Sequence, residues 1–102
     1  MVIKQTNVFR KWLLGLRDKA ARARLTSAIE VASRCGGFSD VKYTGCGVYE
    51  ARFFFGPGYR IYYAPRGDDV ILLVAGGDKS SQRRDIERAH AINARLRGEE
   101  SR

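Results

Sequence analysis

At 102 residues the chain has the length of one small domain, too short for two independent cores or for a barrel of about 250 residues, which excludes most large cofactor enzymes. Apolar residues make up 44% and charged residues 29%, so the composition permits a buried core and argues against disorder. Nineteen Lys and Arg against eleven Asp and Glu leave a net charge of +8, a field that suits polyanionic partners or acidic surfaces. Two cysteines, Cys35 and Cys46, with a single histidine, His90, cannot close a structural zinc site. With neither a signal peptide nor an apolar stretch of about 18 residues, a cytoplasmic protein with free thiols and no membrane contact is expected.

In chain order, Val2 to Gln5 reads as a short edge strand and Asn7 as a helix N-cap. Phe9, Trp12, Leu13 and Leu16 fall at i, i+3, i+4 and i+7, one stripe of an amphipathic helix. After a break near Asp18, Ala21, Leu25, Ala28, Ile29 and Ala32 repeat the spacing until Gly36-Gly37 ends it. Four strands follow, at 41–44, 48–55, 59–64 and 69–75, rich in aromatic and β-branched residues and bounded by Gly, Pro or Asp. Gly56-Pro57-Gly58 and Pro65 to Asp68 make tight reversals between antiparallel neighbours. Ser80 or Ser81 caps a last helix reaching about Arg97, and 98–102 is a polar tail. The expected architecture is a single α+β domain over 1–102: an N-terminal helical hairpin on one face of a curved antiparallel sheet of four to five strands, with a C-terminal helix.

Strand alternation puts Tyr49, Ala51, Phe53, Tyr59, Ile61 and Tyr63 on the helix-covered face, and Glu50, Arg52, Arg60 and Tyr62 on the other. Lys42, Arg52 and Arg60 then converge on an uncovered side, with Lys79 entering from the end of the last strand and Tyr62 offering a ring for a base to stack on. Long cations opposite an apolar face are also what any soluble sheet shows. Arg22, Arg24, Arg34, Arg83, Arg84, Arg88 and Arg95 read as solvated helix faces that together steer polyanions, and His90 as a structural residue. Gly76-Gly77-Asp78-Lys79-Ser80-Ser81 lacks the upstream glycine of a P-loop and retains only a generic anion site, with Asp78 as an alternative cap. The carboxylates are scattered over different elements, so the sequence supports no metal and no cofactor.

Gly47-Val48-Tyr49-Glu50-Ala51-Arg52, Gly56-Pro57-Gly58-Tyr59-Arg60-Ile61-Tyr62-Tyr63 and Gly76-Gly77-Asp78-Lys79-Ser80-Ser81-Gln82, in this order and separation, resemble the addiction-module killer proteins of the RelE/HigB toxin superfamily. The resemblance spans nearly the whole chain. It implies a RelE-like fold and a metal-independent endoribonuclease that cuts mRNA in the ribosomal A site. It also implies contact with ribosomal RNA and neutralisation by a cognate antitoxin, commonly a helix-turn-helix protein. Arg60 matches the recurrent active-site arginine, Lys79 the basic position after the last strand, and Lys42 and Arg52 the basic residues of the preceding strands. Tyr62, Arg83 and Arg84 are assigned to RNA binding. The C-terminal Tyr or His catalytic in some members has no clear equivalent here. RNA brings its own 2′-OH nucleophile, so alignment and charge stabilisation suffice, with Lys42 or Lys79 as candidate base if neighbouring cations depress its pKa. Two alternatives stand beside this reading: a ParE-like toxin that poisons gyrase by binding, and a non-catalytic RNA- or ribosome-binding module.

Overall fold

The computed structural model describes residues 1–100. The chain runs β1 (Val2–Gln5), α1 (Asn7–Leu14), α2 (Lys19–Cys35), β2 (Val41–Gly45), β3 (Val48–Phe53), β4 (Tyr59–Arg66), β5 (Val70–Asp78), a single 3-10 turn (Lys79–Ser81) and α3 (Gln82–Glu100). One five-stranded sheet has the order β1-β5-β4-β3-β2. The short reversals make β2 to β5 antiparallel as expected, whereas β1 pairs parallel with β5. The sheet is therefore mixed, and the chain opens on a strand rather than on a helical hairpin.

Thr6, not Asn7, caps α1. Its hydroxyl accepts from Phe9 N at 3.0 Å and donates to the Val74 carbonyl at 2.7 Å, tying the helix start to β5. Asp18 caps α2 by accepting from Ala21 N, and Gly36 ends it at φ +82°. The predicted stripes then bury against one sheet face: Phe9, Ala21 and Leu25 pack on Ala51, Ile61, Tyr63, Ile71 and Leu73. β3 stops at Phe53, and a four-residue turn closed by Gly58 N donating to the Phe55 carbonyl reverses the chain.

The opposite face is not left bare. Ala89 and Ile92 of α3 pack on Val48, Tyr62, Ala64, Val74 and Ala75, giving three layers instead of two. The apolar residues on both sides of β5 are what make this second core possible. α3 extends through 98–100, expected in the tail, and 101–102 lie outside the described residues. Arg66 pins this last turn: its Nε donates to both Glu100 carboxylate oxygens, and its Nη2 to Asn93 Oδ1 at 2.7 Å.

Gly76 and Gly77 lie inside β5 and not in a phosphate-binding loop. A Cβ on Gly76 would fall within the Trp12 indole on one face, and a Cβ on Gly77 against the Asp85 carboxylate on the other. Each glycine lets a helix side chain seat against the strand.

Candidate functional site

Register sorts the face toward α3 into rows. Arg52 stands opposite Arg60, which stands opposite Gly77, while Lys42, Glu50, Tyr62 and Ala75 form the next row. Two like charges directly opposite each other repel. Asp40 offsets this at Arg52, whose Nε and Nη2 both donate to Asp40 Oδ1 at 2.9 and 2.7 Å. Among the described residues Arg60 has no such partner. Its side chain is buried, with the residue only 6% exposed, and Nη1 donates to the Gly58 carbonyl at 2.9 Å. Its Nε has no hydrogen-bond partner among the described residues.

Gly58 also brings Lys79 to this end of the sheet. A Cβ built on Gly58 would meet Arg60 Nη1 at 3.2 Å and Lys79 Cβ at 3.5 Å, so the two basic residues flank one open position. Arg60, Arg52 and Lys79 thus come together. Lys42 does not join them: it is exposed on β2, two strands and one row from Arg60, a Cα separation of roughly 12 Å from sheet spacings. Its cross-strand neighbour is the Glu50 carboxylate, so the cationic crowding expected there does not form.

Tyr62 is fully buried under α3 and cannot stack on a base. The exposed ring beside the cations is Phe54, 73% exposed, with the Arg52 guanidinium 5.7 Å from its centroid. Arg83 and Arg84 are exposed on the first turn of α3 and line a shallow depression with Ser80, Ser81 and Glu87. The Arg83–Glu87 pair, 3.9 Å apart in solvent, contributes little. Arg24 is not a free solvated arm, since its guanidinium lies 3.8 Å over the Phe55 ring. His90 Nε2 meets Thr44 Oγ1 at 2.9 Å, and that hydroxyl donates its one proton to the Val48 carbonyl. His90 therefore donates, tying α3 to β2 as a structural residue.

Spacing alone missed two residues. Glu50 and Asp85 are buried carboxylates on this face: Gln82 Nε2 donates to Glu50 at 2.9 Å, and the Ser81 hydroxyl donates to Asp85. Both carboxylates act on the Tyr62 hydroxyl, Glu50 by its charge and as a nearby acceptor and Asp85 by its charge, although no hydrogen bond of full geometry closes on it among the described residues. Burial, then the charge of Glu50 and of Asp85, pushes Tyr62 ionisation well above the usual tyrosine range, with Arg60 opposing. Between about pH 10 and that raised value the unfolded chain releases a proton that the folded one keeps, so stability falls as pH rises above about 10. Tyr62→Phe removes a buried hydroxyl that closes no hydrogen bond of full geometry among the described residues and sits against the Glu50 charge. It is expected to melt no lower than the parent at pH 7 and to hold its melting temperature better between pH 10 and 12. A lower melting temperature at pH 7 would mean that the hydroxyl is bonded.

Asp78 caps the turn after β5 by accepting from Ser80 N, with Ser81 completing a capping box. The Ser80 hydroxyl holds its carboxyl below the usual range, helped by the backbone N–H groups of Ser80 and Ser81 and by the Arg60 charge, against a smaller burial effect. Among the described residues no three His, Cys, Asp or Glu side chains come together as metal ligands, and no helix is long and apolar enough to cross a membrane. Cys35 and Cys46 are exposed and unpaired.

No family model matches the chain. It is 35% identical over 94 residues to an uncharacterized protein of Haemophilus influenzae, covering 92% of this chain and 94% of that protein. Among solved structures it is similar to a chain of the intact E. coli RelBE toxin-antitoxin complex, with a TM-score of 0.63 and 16% identity over 76% of this chain and 94% of that one. At that identity the likeness is one of fold: α+β, with a C-terminal helix on the sheet.

Proposed function

We propose that this chain, which belongs to one family with the Haemophilus influenzae protein and shares the fold of the RelBE chain, is the toxin of a toxin-antitoxin pair and cuts mRNA on the ribosome. The observation that carries the reading is Arg60: a buried guanidinium with an unpartnered Nε, beside Lys79 and Arg52. Nε is itself closed off from solvent, so a phosphate oxygen would be met at the Nη end of the guanidinium, which no carboxylate engages among the described residues. The RelBE complex lends support to a cognate antitoxin partner, here of the helix-turn-helix kind.

The chemistry follows from what the site holds. The 2′-OH of the substrate attacks the adjacent phosphorus in line, the bond from phosphorus to the 5′ oxygen breaks, and a 2′,3′-cyclic phosphate and a 5′-OH result. Arg60 donates to the oxygens on which charge develops, with its planar fork permanently protonated. Lys79 adds a second cation at the Gly58 side, and Arg52, held by Asp40, positions the backbone of the RNA. Phe54 replaces Tyr62 as the ring on which a base stacks. Arg83, Arg84 and the remaining positive charge dock ribosomal RNA, and Lys42 belongs with them rather than at the scissile phosphate.

A site with no positioned histidine relies on the ribosome to align the codon. The purified protein is therefore expected to cut mRNA on programmed ribosomes and to cut the same RNA poorly when free, with EDTA harmless at levels that leave ribosomes intact. Strong cleavage of naked RNA at low enzyme would contradict ribosome dependence.

A further inference from the structure

The sequence places Asp85 seven residues beyond the end of β5, yet its carboxylate occupies the place of a side chain at Gly77. Gly77 is the cross-strand partner of Arg60, and directly opposed Cβ positions lie about 4.5–5.5 Å apart. Asp85 thus stands in the row of Arg60 although it comes from α3. No ion pair closes between them: among the described residues Arg60 makes none within 4.0 Å, and its Nε stays unpartnered. The Ser81 hydroxyl holds Asp85, and Gln82 holds the second buried carboxylate, Glu50, in the adjoining row. Asp85 is 8% exposed and Glu50 1%.

A buried guanidinium without compensating charge does not stay buried, and one bonded on every donor to carboxylates has nothing left for phosphate. We propose that Asp85, admitted by Gly77 and held back by Ser81, is a positioning residue for Arg60: it balances the guanidinium charge without bonding it and leaves the Nη end free for a phosphate oxygen. This rests on the ribonuclease reading above. A purely structural Asp85 would act as an acid in the first turn of α3 and would leave the chemistry untouched.

Charge balance and tethering make different predictions for binding and for cutting. With ribosomes programmed with an mRNA whose A-site codon carries 2′-deoxy sugars, and so cannot be cut, Asp85→Asn is expected to bind about threefold tighter, the scale of one screened charge removed near phosphate. Its single-turnover cleavage of the normal mRNA is expected to fall about tenfold or more, since Arg60 is no longer held in register. Ser81→Ala releases Asp85 to bond Arg60 and is expected to weaken binding and slow cleavage together, while Asp85→Asn/Ser81→Ala binds like Asp85→Asn. Thermal melts identify any variant that fails to fold, and the remaining single variant then decides. Parent-level binding and cleavage in a folded Asp85→Asn, or losses of both that track its melting temperature, would overturn the proposal alone. Failure of the unsubstituted protein to cut ribosome-bound mRNA would overturn the ribonuclease reading and the proposal with it.

Discussion

Arg60→Ala is expected to lower cleavage of ribosome-bound mRNA by about 10²–10³-fold, the usual cost of losing a preorganised donor to a developing oxyanion. Arg60 makes one hydrogen bond, to the Gly58 carbonyl, and no ion pair within 4.0 Å among the described residues, but its removal leaves a cavity and takes the balancing charge from buried Asp85 and Glu50, so a lower melting temperature is expected beside the loss of chemistry. Arg60→Lys keeps the charge but not the planar fork, and is expected to fall between the two. Circular dichroism and a thermal melt on the same preparations separate inactivity from unfolding. Arg24→Ala serves as the control: it removes a cation over Phe55, costs about 0.5–1 kcal/mol of stability, and leaves cleavage within a few-fold of the parent. Full cleavage by folded Arg60→Ala would remove this residue from the site.

Gly76→Ala is expected to be the most damaging small substitution for stability. The added methyl would fall within the Trp12 indole, and that ring cannot slide away freely. It packs edge-on against Tyr59 at 6.3 Å and tilted against Phe9 at 5.7 Å, both of them buried. Overpacking of this kind costs about 1–3 kcal/mol, with each kcal/mol worth about 4–8 °C of melting temperature in a domain of this size. Gly76→Ala/Trp12→Phe, which makes room for the methyl, is expected to be more stable than the sum of the two single changes. A melting temperature within 1–2 °C of the parent for Gly76→Ala, roughly the error of a melt, would show that β5 and α1 separate more easily than their packing implies.

The helix stripes and the inner sheet face were legible because each is fixed by local periodicity. Phe9, Leu25, Ala51, Ile61 and Tyr63 lie in one core, as their spacing requires. The parallel pairing of β1 was not legible, since no turn links Val2–Gln5 to Val70–Asp78 and nothing local sets its direction. Alternation placed Tyr62 on the right face but could not say that α3 covers it, and so it offered a buried ring in place of exposed Phe54. Strand parity and the position after β5 put Arg60 and Lys79 forward as candidates and the structure places them near each other, whereas the offset of Lys42 by one row depends on register. Glu50 read as a residue of the uncovered sheet face and Asp85 as one of several carboxylates scattered over different elements. Only the packing of α3 against Gly77 brings Asp85 to the row of Arg60, whereas Glu50 reaches the adjoining row by strand register and is covered by α3. The glycine pair that superficially resembled a phosphate loop makes room for Trp12 and Asp85.

Mapping mRNA 5′ ends across the transcriptome shortly after induction tests most directly whether Arg60 works on a phosphate of mRNA during translation. New ends confined to translated codons in cells expressing the unsubstituted chain, and missing in cells expressing folded Arg60→Ala at equal levels, are the predicted result. Growth arrest without new ends, or the same ends with Arg60→Ala, would contradict it.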